Sequence, residues 1–417
     1  MLTDYVILGL CVVVLLSYLF DITFKYSKIP GVVFLIALGI VLQVIVNHTG
    51  IEIPNMRPVL PVLGTLGLVF IVMEAGLEIR FEKNKTRRLM QGVGASVVLM
   101  VLFVSILTFA VMRIWHLPLA ATLLNVIPLG IISSAVAISS SGLLSRDQRE
   151  FITFESSASD IFGILLFDFI IYHHQSLSAG IIDFASKTLI IIPVAIIMAV
   201  AIAWLLYKMH YHVNHIAILT AVVMAYAIAE LLHLPGLFLV VVFGLVLANN
   251  RFAQDTFINR LVDFNKFRND IDSFKKILAE LTFIVRSFFF IMFGFYVNLS
   301  GLVNVHSITV AAAITAFLFL LRWVFFLFFI RGSGKLVWFA PRGLITILLF
   351  MSLPDMFRID VINEEVVTLV ILMSIFVMMT GNIIPVRKKP ADAAENTEPP
   401  APSCDGTEEK TTVFSCR

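Results

Sequence analysis

The stretch Glu155-Ser156-Ser157-Ala158-Ser159-Asp160 sets two carboxylates among serine hydroxyls inside an otherwise apolar run, 152–172. On a helix, Ser156 and Asp160 lie one turn apart on one face, so a hydroxyl oxygen and a carboxylate address the same point. Hard cations take oxygen ligands of this kind, and a carboxylate also takes a proton. Nucleophilic catalysis is poorly served, and no Gly-x-Ser-x-Gly, His-Glu-x-x-His or Gly-x-Gly-Asp pattern lies within an apolar run. Glu74, in Met73-Glu74-Ala75-Gly76-Leu77, is a candidate second carboxylate from another run. A charge at mid-bilayer costs about 2.5–3.5 kcal/mol on insertion scales, so each such residue needs a partner or a polar cavity. Arg286 and Arg342 share this condition. Arg322, Glu230 and Asp168 read as structural ion pairs or as side chains reaching toward an interface.

The elements that position these groups are membrane spans. The chain is 59% hydrophobic and 14% charged, against about 25% charged in soluble domains. That excludes a soluble enzyme or a nucleic-acid binder and predicts an all-α polytopic membrane protein. Apolar runs fall at 3–22, 30–47, 59–79, 89–113, 119–144, 152–172, 188–207, 213–233, 236–249, 277–300, 305–330, 335–353 and 363–385, giving about 13 transmembrane helices. The fifth, ninth and twelfth runs are short or carry Pro, Gly or charge near their middles, and irregular backbone is expected there. Basic residues crowd alternate loops, among them Lys25, Lys28, Arg80, Lys83, Arg87, Arg146, Arg149, Lys208, Arg251, Arg260, Lys276 and Arg331. The opposite loops hold only Arg57, Arg113, Lys187 and Arg358, which puts the amino terminus outside and the carboxyl terminus in the cytoplasm. The amino terminus lacks the basic region and cleavage site of a signal peptide, so the first run reads as a retained span.

Residues 1–386 form the expected transmembrane domain. Within it, 251–276 alternates phenylalanines and leucine with charges and reads as an amphipathic helix on the cytoplasmic surface. Residues 387–417, rich in Pro, Glu, Ala and Thr, read as a disordered cytoplasmic tail. The isolated Cys11, Cys404 and Cys416 have no disulfide or metal spacing. His210, His212 and His215 fall in a cytoplasmic loop, where a reference pKa near 6.5 would suit pH sensing.

Ile29-Pro30-Gly31 followed by Gly39 and Leu42 recurs as Leu234-Pro235-Gly236 followed by Gly244 and Leu247, with the same spacings. The charge assignment runs the two copies in opposite directions through the membrane, so they form an inverted-topology repeat, an architecture of secondary transporters. Pro128, Gly130 and Ser133-Ser134 in one half answer Pro341-Arg342-Gly343 in the other. Both places suit crossed discontinuous helices, whose freed carbonyls and helix ends can hold a cation.

With these motifs in order, residues 1–386 resemble the sodium/proton exchanger branch of the monovalent cation:proton antiporter superfamily. Glu74-Ala75-Gly76-Leu77-Glu78 looks like the family's glutamate-bearing third helix, and Glu155-Ser156 with Asp160 is similar to its Gly-Glu-Ser... Asn-Asp signature. Arg286-Ser287-Phe288-Phe289-Phe290 with Gly294 resembles its tenth helix, and Arg342-Gly343 the arginine of its unwound twelfth. The family's fifth-helix Thr-Asp-Pro is Ser133-Ser134-Ala135 here, and the residue before the carrier aspartate is Ser159 rather than Asn.

The resemblance implies exchange of Na⁺, or another monovalent cation, for H⁺ by alternating access, in a homodimer at the cell membrane. Asp160 would carry the ion or proton. Na⁺ would sit at Asp160, Glu74 and Ser156, with Ser133 and Ser159 contributing and Arg286 in support. Glu155 would pair with Arg342. No cofactor is expected, since the ions are themselves the substrates. Ser159 cannot ionise where charge-moving branches carry a second aspartate, so exchange would be electroneutral. The alternative is a transporter-fold sensor or regulator without turnover.

Overall fold

The computed structural model describes residues 2–27, 29–49, 59–79, 86–173, 186–187, 189–198, 201, 214–232, 234–249, 264–329 and 334–383. Among these residues the protein is all-α. Apart from the single turn Leu299–Leu302, the α-helices in order are α1 (Leu2–Ser27), α2 (Gly31–Thr49), α3 (Val59–Glu78), α4 (Thr86–Trp115), α5 (Leu119–Gly130), α6 (Ser134–Ser140) and α7 (Arg146–His173). There follow α8 (Leu189–Met198), α9 (Asn214–Leu231), α10 (Gly236–Ala248), α11 (Phe264–Tyr296), α12 (Val305–Phe329), α13 (Leu344–Met351) and α14 (Glu364–Ile383). Gly31–Thr49, Arg87–Trp115, Leu119–Ser140, Ile271–Tyr296, Val305–Phe329 and Glu364–Gly381 are each long and apolar enough to cross a membrane. Leu15, Leu19, Phe109, Ile197, Leu327 and Phe328 stand exposed on the outer faces, as side chains do where the solvent is hydrocarbon.

The internal repeat has a packing basis. Each copy starts its helix at the Gly after Pro, α2 at Gly31 and α10 at Gly236. A Cβ on Gly39 would lie 2.8 Å from Phe295 N and 3.0 Å from the Gly294 carbonyl carbon of α11. A Cβ on Gly244 would lie 3.0 Å from Met73 O and 3.2 Å from Gly76 Cα of α3. The second glycine of each copy therefore lets two helix backbones meet glycine to glycine, the small-residue contact that drives helix association in lipid. α2 against α11 and α10 against α3 form one group of helices, flanked by α1 and α9. α4, α5, α6 and α7 form the other group together with α12, α13 and α14, and α3 and α10 also contact α7.

Two expected breaks are present. The fifth run is two half-helices, α5 and α6, separated by extended residues 131–133. The twelfth is a 3₁₀ turn (Leu336–Trp338), an unwound stretch 339–343 and α13. The ninth run departs from expectation: α10 is a short, uninterrupted helix. Its proline stands at the N-cap, where a missing N–H costs nothing. The expected surface helix over 251–276 also differs. From Phe264 it is the opening of α11, because Ile271, Phe274 and Leu278, at 5%, 1% and 0% exposure, continue one buried stripe into the span. Residues 251–263 and the expected tail, 387–417, lie outside the described residues, as do His210 and His212. His215 is in the first turn of α9, its ring centroid 6.2 Å from that of Phe274 on α11.

Candidate functional site

Pro128 inside the last turn of α5 removes one helix donor, and Gly130 ends the helix. The chain then runs extended to Ser133, whose N–H donates to Pro341 O at 2.9 Å. That bond joins the two breaks where they cross. Gly343 is the residue that allows it: a Cβ there would stand 2.5 Å from Ser133 Oγ and 2.8 Å from Ser133 Cβ. Gly343→Ala is therefore expected to cost about 1–3 kcal/mol by overpacking the crossing, read as a lowered unfolding temperature. Adding Ser133→Gly, which removes both opposing atoms, should restore most of that loss. A lone Gly343→Ala of unchanged stability would contradict the close crossing.

The Ile132 N–H and Leu129 carbonyl freed by the break are satisfied from α7 and from the second break. Ile132 N–H donates to Ser159 Oγ of α7 at 3.0 Å. Arg342 Nε donates to Leu129 O at 2.6 Å and Nη1 to Ala340 O at 3.3 Å, while its own N–H donates to Ser374 Oγ at 2.9 Å. A guanidinium thus caps the carbonyl end of α5, where a cation is favoured. Asn125 Nδ2 donates to Phe357 O at 2.7 Å and holds α5 to the turn before α14.

The expected Glu155–Arg342 pair is not the one formed. Glu155 is bound by Arg322 of α12 through two parallel bonds, Nη1 to Oε1 at 2.6 Å and Nη2 to Oε2 at 2.8 Å. The exposures of the two side chains are 1% and 2%. Arg322 Nε and Nη2 also donate to Leu336 O at 3.1 and 2.9 Å, and the guanidinium lies 4.7 Å from the centre of the Phe326 ring. Arg342 is drawn instead to the Leu129 carbonyl that the Pro–Gly break leaves open at the end of α5. The pair therefore ties α7 to α12 and to the turn just before the second break.

Asp160 differs from every other intramembrane charge described so far. It is 0% exposed, and neither carboxylate oxygen has a hydrogen-bond partner among the described residues. Ser134, the first residue of α6, faces it with both its hydroxyl and its N–H without completing a bond. Ser156 Oγ donates to Ile152 O at 2.7 Å, which commits its hydrogen to the helix and leaves lone pairs for a ligand. Ser133 is at the crossing, its hydroxyl turned to Gly343 and its carbonyl accepting from Ala137 N–H. Ser134, not Ser133, is the hydroxyl brought to Asp160.

The structure sets Glu74 opposite Arg286 and Thr282 of α11. Arg286 in turn feels the charges of Glu74 and of Asp21 on α1, with its guanidinium 5.6 Å from the centre of the Phe283 ring. The carboxylate whose charge reaches Asp160 is Glu78, one turn further along α3. Ser157 Oγ donates to Glu78 Oε2 at 3.0 Å. Sequence reasoning passed over Arg322, Ser134, Ser157 and Glu78 as site residues. Glu78 had a legible signal in its i, i+4 spacing from Glu74, Arg322 in being a charge within an apolar run, and Ser134 in the polar pair at the break, whereas Ser157 had none.

A family model described as "Sodium/hydrogen exchanger, transmembrane" matches residues 11–386. A search of curated proteins finds no match. Two solved structures of the sodium proton antiporter MjNhaP1 from Methanocaldococcus jannaschii share the fold. One is 17% identical with a TM-score of 0.69, covering 91% of this chain and 100% of that one. The other, from an electron-microscopy map, is 18% identical with a TM-score of 0.66, covering 90% and 94%. Crossed breaks, a buried aspartate beside them and a family match spanning nearly every helix lead to one conclusion: this multi-pass membrane protein belongs to the sodium/hydrogen exchanger family.

Proposed function

We propose that the chain exchanges Na⁺ or another monovalent cation for H⁺ at Asp160 by alternating access. The observation that carries this reading is the Asp160 carboxylate itself, wholly buried beside the crossing and lacking, among the described residues, a hydrogen bond to either oxygen. A carboxylate in such a place is tolerable only when neutralised. A proton and a cation can each do so, but not both together, and this exclusion couples the two fluxes. Ser156 and the Ser134 hydroxyl add oxygen ligands around the ion. Arg342, by holding the Leu129 carbonyl, fixes the end of α5 as the bound species changes. Glu155 with Arg322 keeps α7 and α12 moving as one body. Alternating access, assembly as a homodimer and an external amino terminus complete the proposal, supported by the family resemblance and the loop charges. No resident cofactor is assigned, since cation and proton are the substrates.

Proteoliposomes containing the protein and a trapped pH dye test this reading: an imposed Na⁺ gradient should move protons, and a dye signal no different from empty vesicles would reject it. Exchange should also be electroneutral, because Ser159 is occupied in bonding Ile132 N–H and cannot ionise, leaving the single charge of Asp160 to alternate. Each moved charge would be worth about 2.3 kcal/mol per 100 mV. The steady-state rate should therefore be indifferent to an imposed potential of either sign. Potential-driven proton flux at equal cation concentrations on both sides would overturn the one-for-one count.

A further inference from the structure

We propose that Glu78, rather than Glu74, is the second carboxylate of the ion path, binding the cation on its way to Asp160 from the side on which α3 ends. The inference rests on the antiport reading above and adds a residue to it. Three observations carry it.

The first is the bond from Ser157 Oγ to Glu78 Oε2, 3.0 Å long. Ser157 is fully buried and lies three residues before Asp160 on the same helix, so the bond brings Glu78 to within about a turn of the carrier. The second is the charge environment of the two α3 carboxylates. Lys275 of α11 faces both, but Glu74 has Arg286 as a second counter-charge, whereas Glu78 has none among the described residues and faces instead the charge of Glu74 on its own helix. From α7 it is faced by Ser157 and Asp160. From α10, Asn249 brings an uncharged amide, donating to Ile79 O at 2.8 Å.

The third is position. Glu78 is the last residue of α3, at the negative end of that helix's dipole, where a carboxylate is disfavoured and a cation is attracted. A carboxylate there, partly exposed and tied to the carrier helix, concentrates cations next to Asp160, whose oxygens both lack a hydrogen-bond partner among the described residues. Ser157 holds one Glu78 oxygen in place and leaves the other for the ion. Because a single cation passes from Glu78 to Asp160, the exchange ratio is unchanged.

The test is Na⁺-driven proton movement in proteoliposomes of known orientation, comparing wild type with Glu78→Gln, Glu78→Asp and Ser157→Ala. Glu78→Gln should raise the apparent KM for Na⁺ about tenfold, as expected for losing one charged contact, and only for Na⁺ presented on the α3-terminal side. The maximal rate should be largely retained. Glu78→Asp should recover part of the affinity. Ser157→Ala, which keeps the carboxylate but frees it, should raise KM on that same side by a smaller factor. If Glu78→Gln does not fold, the Ser157→Ala result decides alone. An unchanged KM, an equal change on both sides, or a fall in maximal rate alone would overturn the proposal. Wild-type protein without exchange would instead reject the antiport reading, so the two failures are distinguishable.

Discussion

Arg322→Ala is expected to lower the stability of the folded protein by about 3–5 kcal/mol, because it leaves the Glu155 carboxylate buried without its counter-charge. The two side chains, 2% and 1% exposed, share two short parallel bonds away from solvent. Replacing both residues together, as Glu155→Gln with Arg322→Met, removes both charges and should recover most of the loss. Arg342→Ala is a different case. It uncaps the Leu129 and Ala340 carbonyls without stranding a carboxylate, at a cost of about 1–3 kcal/mol. Its coupling to Glu155→Ala should be small beside the Glu155–Arg322 coupling, because Glu155 acts on Arg342 through charge alone and shares no hydrogen bond with it among the described residues. Thermal unfolding of the detergent-solubilised single and double variants gives both cycles. Strong coupling of Glu155 to Arg342 with none to Arg322 would contradict the pairing.

The features legible in the sequence were those that repeat or break a pattern. Apolar runs and the Pro–Gly–Gly repeat announced the helices and their inverted arrangement, and the structure supplies the reason for the repeat in the contacts of Gly39 with Gly294 and Gly244 with Gly76. Pro128, Gly130 and Pro341-Arg342-Gly343 marked both breaks because they violate helix chemistry locally. Pro235 carried the same sign without the consequence, since a proline at a helix start and one inside a helix look alike in a string of letters. The pairing of charges was not legible. Arg322 and Arg342 are both arginines in apolar surroundings, and the choice between them depends on which carbonyls the break at Gly130 leaves open. That is a three-dimensional outcome. Ser133 and Ser134 differ by one residue at a non-helical turn, so only the backbone path decides which hydroxyl meets Asp160. The continuity of α11 through Phe264–Lys276 was partly hidden because its charges suggested a surface helix, while Ile271, Phe274 and Leu278 kept one face buried.

The second large effect concerns Asp160, and it joins stability to function. Asparagine matches aspartate in shape and keeps one carbonyl oxygen, so Asp160→Asn should fold as wild type does. Since the change removes a buried carboxylate that has no hydrogen-bond partner among the described residues, the variant should be at least as stable as wild type. Yet an amide neither gains and loses a proton nor supplies the charge that makes cation and proton alternatives. The variant should therefore unfold at the same or a higher temperature while its exchange falls to background. A residue with a purely structural role would show the opposite pattern, losing stability first and activity in proportion. Serine substitutions at the periphery of the site, such as Ser156→Ala, should weaken cation affinity without this separation, because Ser156 already spends its hydrogen on Ile152 O. The most direct measurement is Na⁺-driven proton movement in proteoliposomes of Asp160→Asn, run beside its thermal unfolding. The account predicts an intact, equally or more stable protein whose dye signal matches empty vesicles. Cation-dependent proton movement near the wild-type rate would contradict it.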